Sequence, residues 1–428
     1  MTFNVIETFS GIGSQAKALS NIQKKDPTVD FNISATVEWE IGAMYAYDLL
    51  HNGNQKLDKY KDFSKEDIIL ILNKYNLSSD GKNPLAKKSL QRMPLSQLKA
   101  ILYSIQNNNN LVDISKVNAI NLPEADLLTY SFPCQDLSIS SYWHGNISGI
   151  NKDIKNRSGL LWEIERILKE YKDLQKKMPR FLLMENVSAI HSSLHDSNFK
   201  LWQHELKDLG YMSEYDDLNA IHFGIPQNRL RTFMISIYAE DLNEWQKNEI
   251  RNFFEQWKYR EFQEKPKIDS FLRLDYSIPK YYQEALESTP NNTDSRKKIM
   301  ADSLKLAYGN KTAGTIAKTI TTKQDRNPNA GIIIHESDFG PHKSKYRNLT
   351  PRETFLLMGF EEKDFDRLIE NNIYITKSRK LLSRSKLLKL AGNSIVVNVL
   401  EDIFTRIINF NYEVIEPNNI VDLKQKMG

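Results

Sequence analysis

Residues 3–22 read FNVIETFSGIGSQAKALSNI, and the succession of residue types in this stretch decides the fold class. An apolar run suited to a strand, FNVIETF, gives way to a turn of small residues, FSGIGS at 9–14, and then to a helical pattern over about 14–22. A second pair follows: FNISATVEW ends at Trp39 and a helix starts near residue 41. Strand and helix alternating in this way is the signature of a parallel sheet flanked by helices, an α/β fold. Later runs keep the scheme. DLLTYSF at 126–132, RFLLM at 180–184 and RTFMISIY at 231–238 read as strands. GLLWEIERILKEY at 159–171 and FKLWQHELKDLG at 199–210 read as amphipathic helices, the second closing on Gly210.

Two segments break the alternation. Residues 51–110 are polar, Lys- and Asn-rich and weakly helical, ending in the Asn run 107–110, and read as an insertion into a catalytic domain spanning 1–240. Residues 241–345 mix aromatics, Pro, Asn and Lys without βα order, as a smaller recognition domain would. From 346 to 428 the pattern is helical again, ending in GNSIVVNVLEDIFTRIINF.

Composition narrows the function classes. With 428 residues, 40% hydrophobic and 26% charged, the chain has the make-up of a globular protein with a substantial core. A single cysteine permits no intrachain disulfide and no Cys-rich zinc cluster, so no metal is expected. Neither a secretion signal nor a long apolar span is legible, which points to a cytoplasmic protein away from membranes. The net charge of +4 is too small to mark a polycation. Local charge is stronger: residues 291–350 hold 11 Lys/Arg against 5 Asp/Glu, and residues 371–390 hold 6 Lys/Arg and no acid. Each stretch reads equally as a solvated face or as a nucleic-acid footprint.

The residues that carry chemistry cluster at strand ends. In FSGIGS the small residues either make a tight structural turn or let the backbone approach a nucleotide-like ligand. The next strand ends in Glu38-Trp39, where a carboxylate suits ribose hydroxyls; the indole suits adenine stacking or plain core packing. Pro133-Cys134-Gln135 ends another strand, and about twenty polar residues follow, including Ser138, His144, Gly145 and Gly149. A thiol there sits on the ligand-binding edge of a parallel sheet, although a free thiol of pKa about 8.5 needs help to become a nucleophile. Glu185 in MENV brings a carboxyl to the same edge. A carboxylic acid beside a thiol nucleophile can stabilise the charge that develops on a substrate as the thiol adds; desolvation would keep such an acid protonated. In Gln227-Asn228-Arg229-Leu230-Arg231 the two arginines point to opposite faces of an extended segment.

In order, FSGIG, VEWE, VDIS, SFPCQDLS, RSGLLWEIERI, LLMENV, GIPQNRLR, RNLTPRETFLLMGF and GNSIVVNVL span nearly the whole chain, and the set resembles the bacterial C5-cytosine DNA methyltransferases that accompany restriction systems. The resemblance implies a Rossmann-like methyltransferase fold with a target-recognition domain. It implies S-adenosyl-L-methionine as methyl donor, with S-adenosyl-L-homocysteine as product. Phe9, Gly11, Ile12, Gly13, Glu38, Trp39, Asp113, Ile114 and Pro133 would line the cofactor pocket, and Asn393 and Ser394 would return to its methionine end. By the same match Cys134 would add to cytosine C6, Glu185 would contact N3 and Arg231 the base O2, with Arg229 and Gln227 supporting them. Gln135, Ser138 and Thr319 would face DNA. The stretch after Gln135 resembles the loop that closes over flipped DNA, and Thr319-Ile320 resembles a short element of the recognition domain.

Two positions depart from the family pattern: Ser14 replaces the usual third glycine, and Ser131 stands where glycine is frequent. The insertion at 51–110 is longer than usual and is similar to a branch that includes CG-specific members. Double-stranded DNA is the expected partner, a restriction endonuclease the expected functional counterpart, and a monomer the expected state. A tRNA cytosine-C5 methyltransferase and a catalytically silent DNA-binding regulator share the motifs and stand as alternatives. A zinc-dependent deaminase is excluded, since it needs more than one cysteine.

Overall fold

The computed structural model describes residues 2–133, 158–258, 266–335 and 339–417. Within the first 240 positions the strands are β1 (Phe3–Thr8), β2 (Phe31–Val37), β3 (Leu127–Tyr130), β4 (Phe181–Asn186), β5 (Tyr211–Asn219), the two-residue β6 (Gln227–Asn228) and β7 (Leu230–Tyr238). Six of them form the central sheet in the order β2-β1-β3-β4-β7-β5. β1 to β4 run parallel, as the alternation predicts, but β7 is antiparallel to both β4 and β5. The wholly parallel expectation is therefore corrected. Residues 220–229 join β5 to β7, a link shorter than the dozen or so residues a parallel crossover needs, so the chain turns back on itself. β5 escapes a sequence reading because it is an edge strand whose residues, YMSEYDDLN, are mostly only half buried.

Helices cover both faces. α1 (Ser14–Lys25) and α2 (Ile41–Asn52) follow the first two strands, and α6 (Leu161–Asp173) and α7 (Asp196–Asp208) flank β4. Between them the insertion folds as α3 (Lys65–Leu72), α4 (Lys87–Gln91) and α5 (Leu95–Asn107). Alternate strand residues enter opposite cores: Leu127, Phe181, Leu183, Phe233 and Ile235 face one, while Leu128, Leu182, Met184 and Met234 face the other. Burial on both faces explains why these strands read as nearly continuous apolar runs.

The Asn run that ends the insertion is bonded throughout. Asn107 and Asn108 donate to Asp48 Oδ1 (2.7 and 3.1 Å), and Asn109 donates to Ser34 O (2.9 Å). Asn110 pairs with the backbone of Glu38 in both directions, Nδ2 donating to Glu38 O (2.9 Å) and Oδ1 accepting from Glu38 N (3.0 Å).

Past β7, α8 (Glu244–Lys258) packs back on the body: Gln246 Nε2 donates to Val414 O (3.1 Å), and the Phe253 ring lies 4.8 Å from that of Phe410. Then come α9 (Pro279–Ser288) and α10 (Asp294–Asp302). A small sheet follows in the order β12-β11-β8-β9, made of β8 (Lys305–Tyr308), β9 (Lys311–Thr312), β11 (Ile332–Ile334) and β12 (Tyr346–Asn348). β10 (Ala317–Lys318) leaves it to pair in parallel with β6.

The chain returns through α11 (Pro351–Leu356), α12 (Glu362–Glu370), α13 (Arg384–Asn393) and α14 (Val397–Phe410). A capping box starts α11: Thr350 Oγ1 accepts from Glu353 N (3.2 Å) and Glu353 Oε2 from Thr350 N (2.8 Å). The same carboxylate holds the fully buried Arg347 at 2.7 and 2.8 Å. α14 closes the layer beside α1, where Lys25 and Asn21 both bond Glu401 (2.5 and 2.7 Å).

Candidate active site

The chain leaves β1 toward β2 on one side and β3 toward β4 on the other, so strand order reverses between β1 and β3. Crevices outside the carboxyl ends of the strands at such a point are where open α/β sheets bind ligands. A cleft of about 380 Å³ opens there, walled by the ends of β1 to β4, the start of β7 and the end of α13.

One half of the cleft is built on the glycine turn. Phe9 (φ 54°) and Val112 (φ 67°) both hold left-handed backbone that bulky residues avoid, and both line the cleft. Strain of that kind persists where surrounding structure imposes it, commonly around a ligand. Gly11 N donates to Glu38 Oε2 (3.0 Å), and Glu40 N donates to Glu38 Oε1 (2.7 Å). Burial pushes the Glu38 carboxyl up to about 7 against those bonds, and the neighbouring Glu40 adds to the rise. Trp39 lines the cleft and also packs on the core, so the two readings of its ring are compatible.

Ile12 and Ile114 complete this wall. Gly13 is not part of the lining. A Cβ there would fall 2.3 Å from His51 Nε2, so its glycine lets the turn (φ +76°) sit against α2. Asp113 reaches the cleft edge with its carboxylate engaged by Ser115 N (3.0 Å) and Asn76 Nδ2 (2.8 Å). Asn393 and Ser394 arrive from α13, and Ser394 Oγ lies 2.6 Å from Ser14 Oγ. Ser14 thus ties the first turn to the returning C-terminal segment.

The other half gathers the base-handling candidates. Pro133 lines the cleft and is the last described residue before Cys134. Cys134, Gln135 and Ser138 lie outside the described residues, as do His144, Gly145 and Gly149. Glu185 sits at the end of β4, with Arg231 Nε 3.5 Å from its Oε1. Burial raises the Glu185 carboxyl above its ordinary range, opposed by Arg231 and then Arg229. A carboxyl held in this way can keep its proton and donate it to an acceptor in the cleft. Asn186 fixes the strand end, its Nδ2 donating to Phe132 O (3.1 Å).

Two further members of the Gln-Asn-Arg-Leu-Arg run, Arg229 and Gln227, face inward, while Asn228 and Leu230 are exposed. Arg229 is buried and donates to Ile320 O (3.0 Å), Gly392 O (3.2 Å) and Ser394 O (2.8 Å). Gln227 is 0% exposed and outside the cleft lining; its amide donates to Leu357 O (2.8 Å) and accepts from Ile320 N (2.9 Å). Thr319 is half buried, its hydroxyl donating to Asn228 O (2.8 Å). Cleft residues that sequence reading did not single out include Asp80 and Gly81, from the insertion, and Lys389. No motif marked them: Asp80 and Gly81 lie in a polar insertion, and Lys389 is one of six basic residues in 371–390.

A doubly wound sheet whose switch-point crevice gathers a strained glycine turn, a buried carboxylate bound by backbone N–H groups and a buried Glu–Arg pair has the architecture of a Rossmann-like ligand-binding fold. Comparison with known proteins makes this specific: a model of the C-5 cytosine-specific DNA methylase family matches residues 95–409, and the chain belongs to that family. It is 32% identical over 422 residues to orphan methyltransferase M.SssI of Spiroplasma monobiae, covering 94% of this chain and 96% of that one. It is also 32% identical over 403 residues to type II methyltransferase M2.ScrFI of Lactococcus lactis subsp. cremoris, covering 94% and 97%. The crystal structure of S. pombe Dnmt2 methyltransferase shares the fold, with a TM-score of 0.54 at 17% identity over 96% of this chain and 99% of that chain.

Proposed function

We propose that the protein is a DNA (cytosine-5-)-methyltransferase that acts on a cytosine flipped out of duplex DNA through a covalent bond from Cys134 to C6. The observation that carries this reading is one cleft lined together by Glu38, Trp39, Pro133 and the Glu185–Arg231 pair. The donor set fits S-adenosylmethionine: two carboxylate oxygens at the end of β2, an indole next to them and a turn of small residues. Bound there, that molecule supplies a methyl group on a positively charged sulfur.

The chain's residues supply the rest. The Cys134 thiolate adds to C6, and the displaced electron pair moves toward N3, where Glu185 donates its proton. Arg231 orients the base through O2 and sets the acidity of Glu185. C5, now electron-rich, takes the methyl group. A base then removes the C5 proton, the electron pair left behind forms the C5–C6 double bond and expels Cys134 as the thiolate, and N3 returns its proton to Glu185, which restores the aromatic ring and the acid. Arg229 and Gln227 hold this apparatus against the recognition domain. Gln135, Ser138 and Thr319 contact DNA.

We assign residues 1–240 to catalysis, 241–345 to target recognition and 346–428 to a returning segment, in a cytoplasmic monomer. The named relatives include both an orphan and a type II enzyme, and a paired restriction endonuclease is the reading favoured for this chain. Duplex DNA carrying 5-fluorocytosine tests the covalent step, because fluorine at C5 cannot leave as a proton. With S-adenosylmethionine present, wild-type protein is expected to form an adduct that survives denaturing electrophoresis. Cys134→Ser should bind the duplex without trapping it. An adduct formed equally by Cys134→Ser overturns the assignment.

A further inference from the structure

The insertion reaches into the cofactor half of the cleft. Asp80 and Gly81 line it next to Glu38 and Trp39. Their turn runs against the end of β2, with Ser78 N donating to Trp39 O (2.8 Å) and Ile41 N to Ser78 O (2.9 Å). Asp80 shapes the turn from within, its carboxylate accepting from Lys82 N (2.8 Å) and Asn83 N (3.0 Å).

α13 holds the turn from outside. Lys389 Nζ donates to Asp80 O (2.5 Å) and to Glu40 Oε2 (2.8 Å). One helical turn earlier, Lys386 Nζ donates to Ser79 O (2.9 Å) and lies 3.2 Å from Glu40 Oε1. Two lysines therefore grip two carbonyls of the turn and one buried carboxylate, and Glu40 adjoins the ribose-type carboxylate of Glu38. There is little slack: a Cβ on Gly81 would lie 3.2 Å from Glu40 Oε2 and 3.6 Å from Lys389 Nζ.

We propose that the 76–83 turn is the outer wall of the adenosine half of the cofactor cleft and that Lys389 is the positioning residue that latches it to Glu40. The assignment rests on the cleft taking S-adenosylmethionine. The latch touches the wall that Glu38 and Trp39 share, so it acts on the part common to S-adenosylmethionine, S-adenosylhomocysteine and adenosine. Glu38 faces Glu40, Lys389 and the backbone N–H groups of Gly11 and Glu40, while the Asp80 carboxylate is turned to its own loop. Lys389 offsets the charge of Glu40 and thereby helps Glu38 to ionise and accept the ribose hydroxyls.

Calorimetric titration of the three ligands into wild type, Lys389→Met, Lys389→Arg and Gly81→Ala, repeated from pH 6 to 9, tests this. Lys389→Met is expected to raise Kd for all three by the same factor, on the order of tenfold, as for a lost charged hydrogen bond. In turnover the loss should fall on KM for S-adenosylmethionine. The pH at which binding sets in should move upward, because Glu38 loses a cation that favours its charged form. Lys389→Arg should recover most of the affinity. Gly81→Ala, which keeps the charge, should weaken binding without moving that pH. Unchanged affinity in Lys389→Met, or a loss confined to the two ligands with an amino-acid tail, overturns the proposal. Wild-type protein that binds none of the three overturns the function reading along with it.

Discussion

At the scale of single residues, burial sets the acidity of the site's carboxyls. In the proposed mechanism Glu185 gives its proton to the base, and its raised pKa has a definite kinetic sign. The protonated form is the active one, so the rate should fall as pH climbs through that pKa, and Glu185→Gln should lack this limb. Removing a donor aimed at developing charge costs about 2.7–4 kcal/mol of barrier, so single-turnover methyl transfer should slow about 10²–10³-fold. An unchanged rate would reassign the N3 contact. Glu7 shows the same physics away from the cleft. Fully buried on β1, it is pushed up to about 8 by burial. Between the ordinary carboxylate pKa and about 8 the folded chain binds more protons at Glu7 than the unfolded chain does. This stabilising contribution is complete at acid pH and is lost as pH rises through the folded value. Glu7→Gln should therefore gain stability over wild type by a few kcal/mol between pH 5 and 9, read from denaturant midpoints at each pH. A difference that stays flat with pH would show that Glu7 is solvated.

At the scale of elements, the short β6–β10 pairing and α13 knit three distant stretches together through Arg229. Its guanidinium serves three carbonyls, on the Ile320 segment and at the end of α13. Arg229→Ala leaves those carbonyls buried and unpaired, and it should cost more than about 3 kcal/mol of stability. Thermal melting checks this, and Arg229→Lys should recover only part, because an ammonium lacks the planar fork. A melting temperature equal to wild type would mean the fold does not rely on the clamp. Much of this scale was legible in the sequence. β1 to β4 and α1, α6 and α7 follow from apolar periodicity, since both faces of the sheet are buried. β5 did not, because an edge strand with alternating half-exposed residues has no apolar run. The direction of β7 depends on connection length, which an unrecognised β5 concealed. Gln227 and Arg229 were legible as a motif, but their inward direction was not, because their partners at Ile320, Leu357 and Ser394 are roughly 90 to 165 positions away.

At the scale of the whole molecule, charge is distributed differently from its sequence count. Of the basic residues in 371–390, Lys386 and Lys389 serve Glu40, and Arg384 is half-buried. In 291–350, Arg347 is fully buried against Glu353. Exposed candidates for phosphate contact include Lys377 and Arg379 in one stretch and Lys318, Lys323 and Arg326 in the other. Affinity for duplex DNA should fall steeply with salt, the slope of log K against log salt being about −0.9 per phosphate contact. Replacing Lys377 and Arg379 together by Ala should flatten that slope by one to two such contacts in fluorescence-anisotropy titrations. An unaltered slope would remove the 371–390 stretch from the interface. The cofactor wall drawn from the insertion was not legible at all, because Asp80 and Gly81 meet Glu38 only through the fold.

The central claim, that this cleft moves a methyl group to C5 of cytosine in DNA, is tested most directly by following the label. Purified protein would be incubated with methyl-labelled S-adenosylmethionine and either duplex DNA or tRNA, the nucleic acid hydrolysed, and the labelled base identified. The account predicts 5-methylcytosine from the duplex alone. Label in tRNA alone, or in neither, would contradict it.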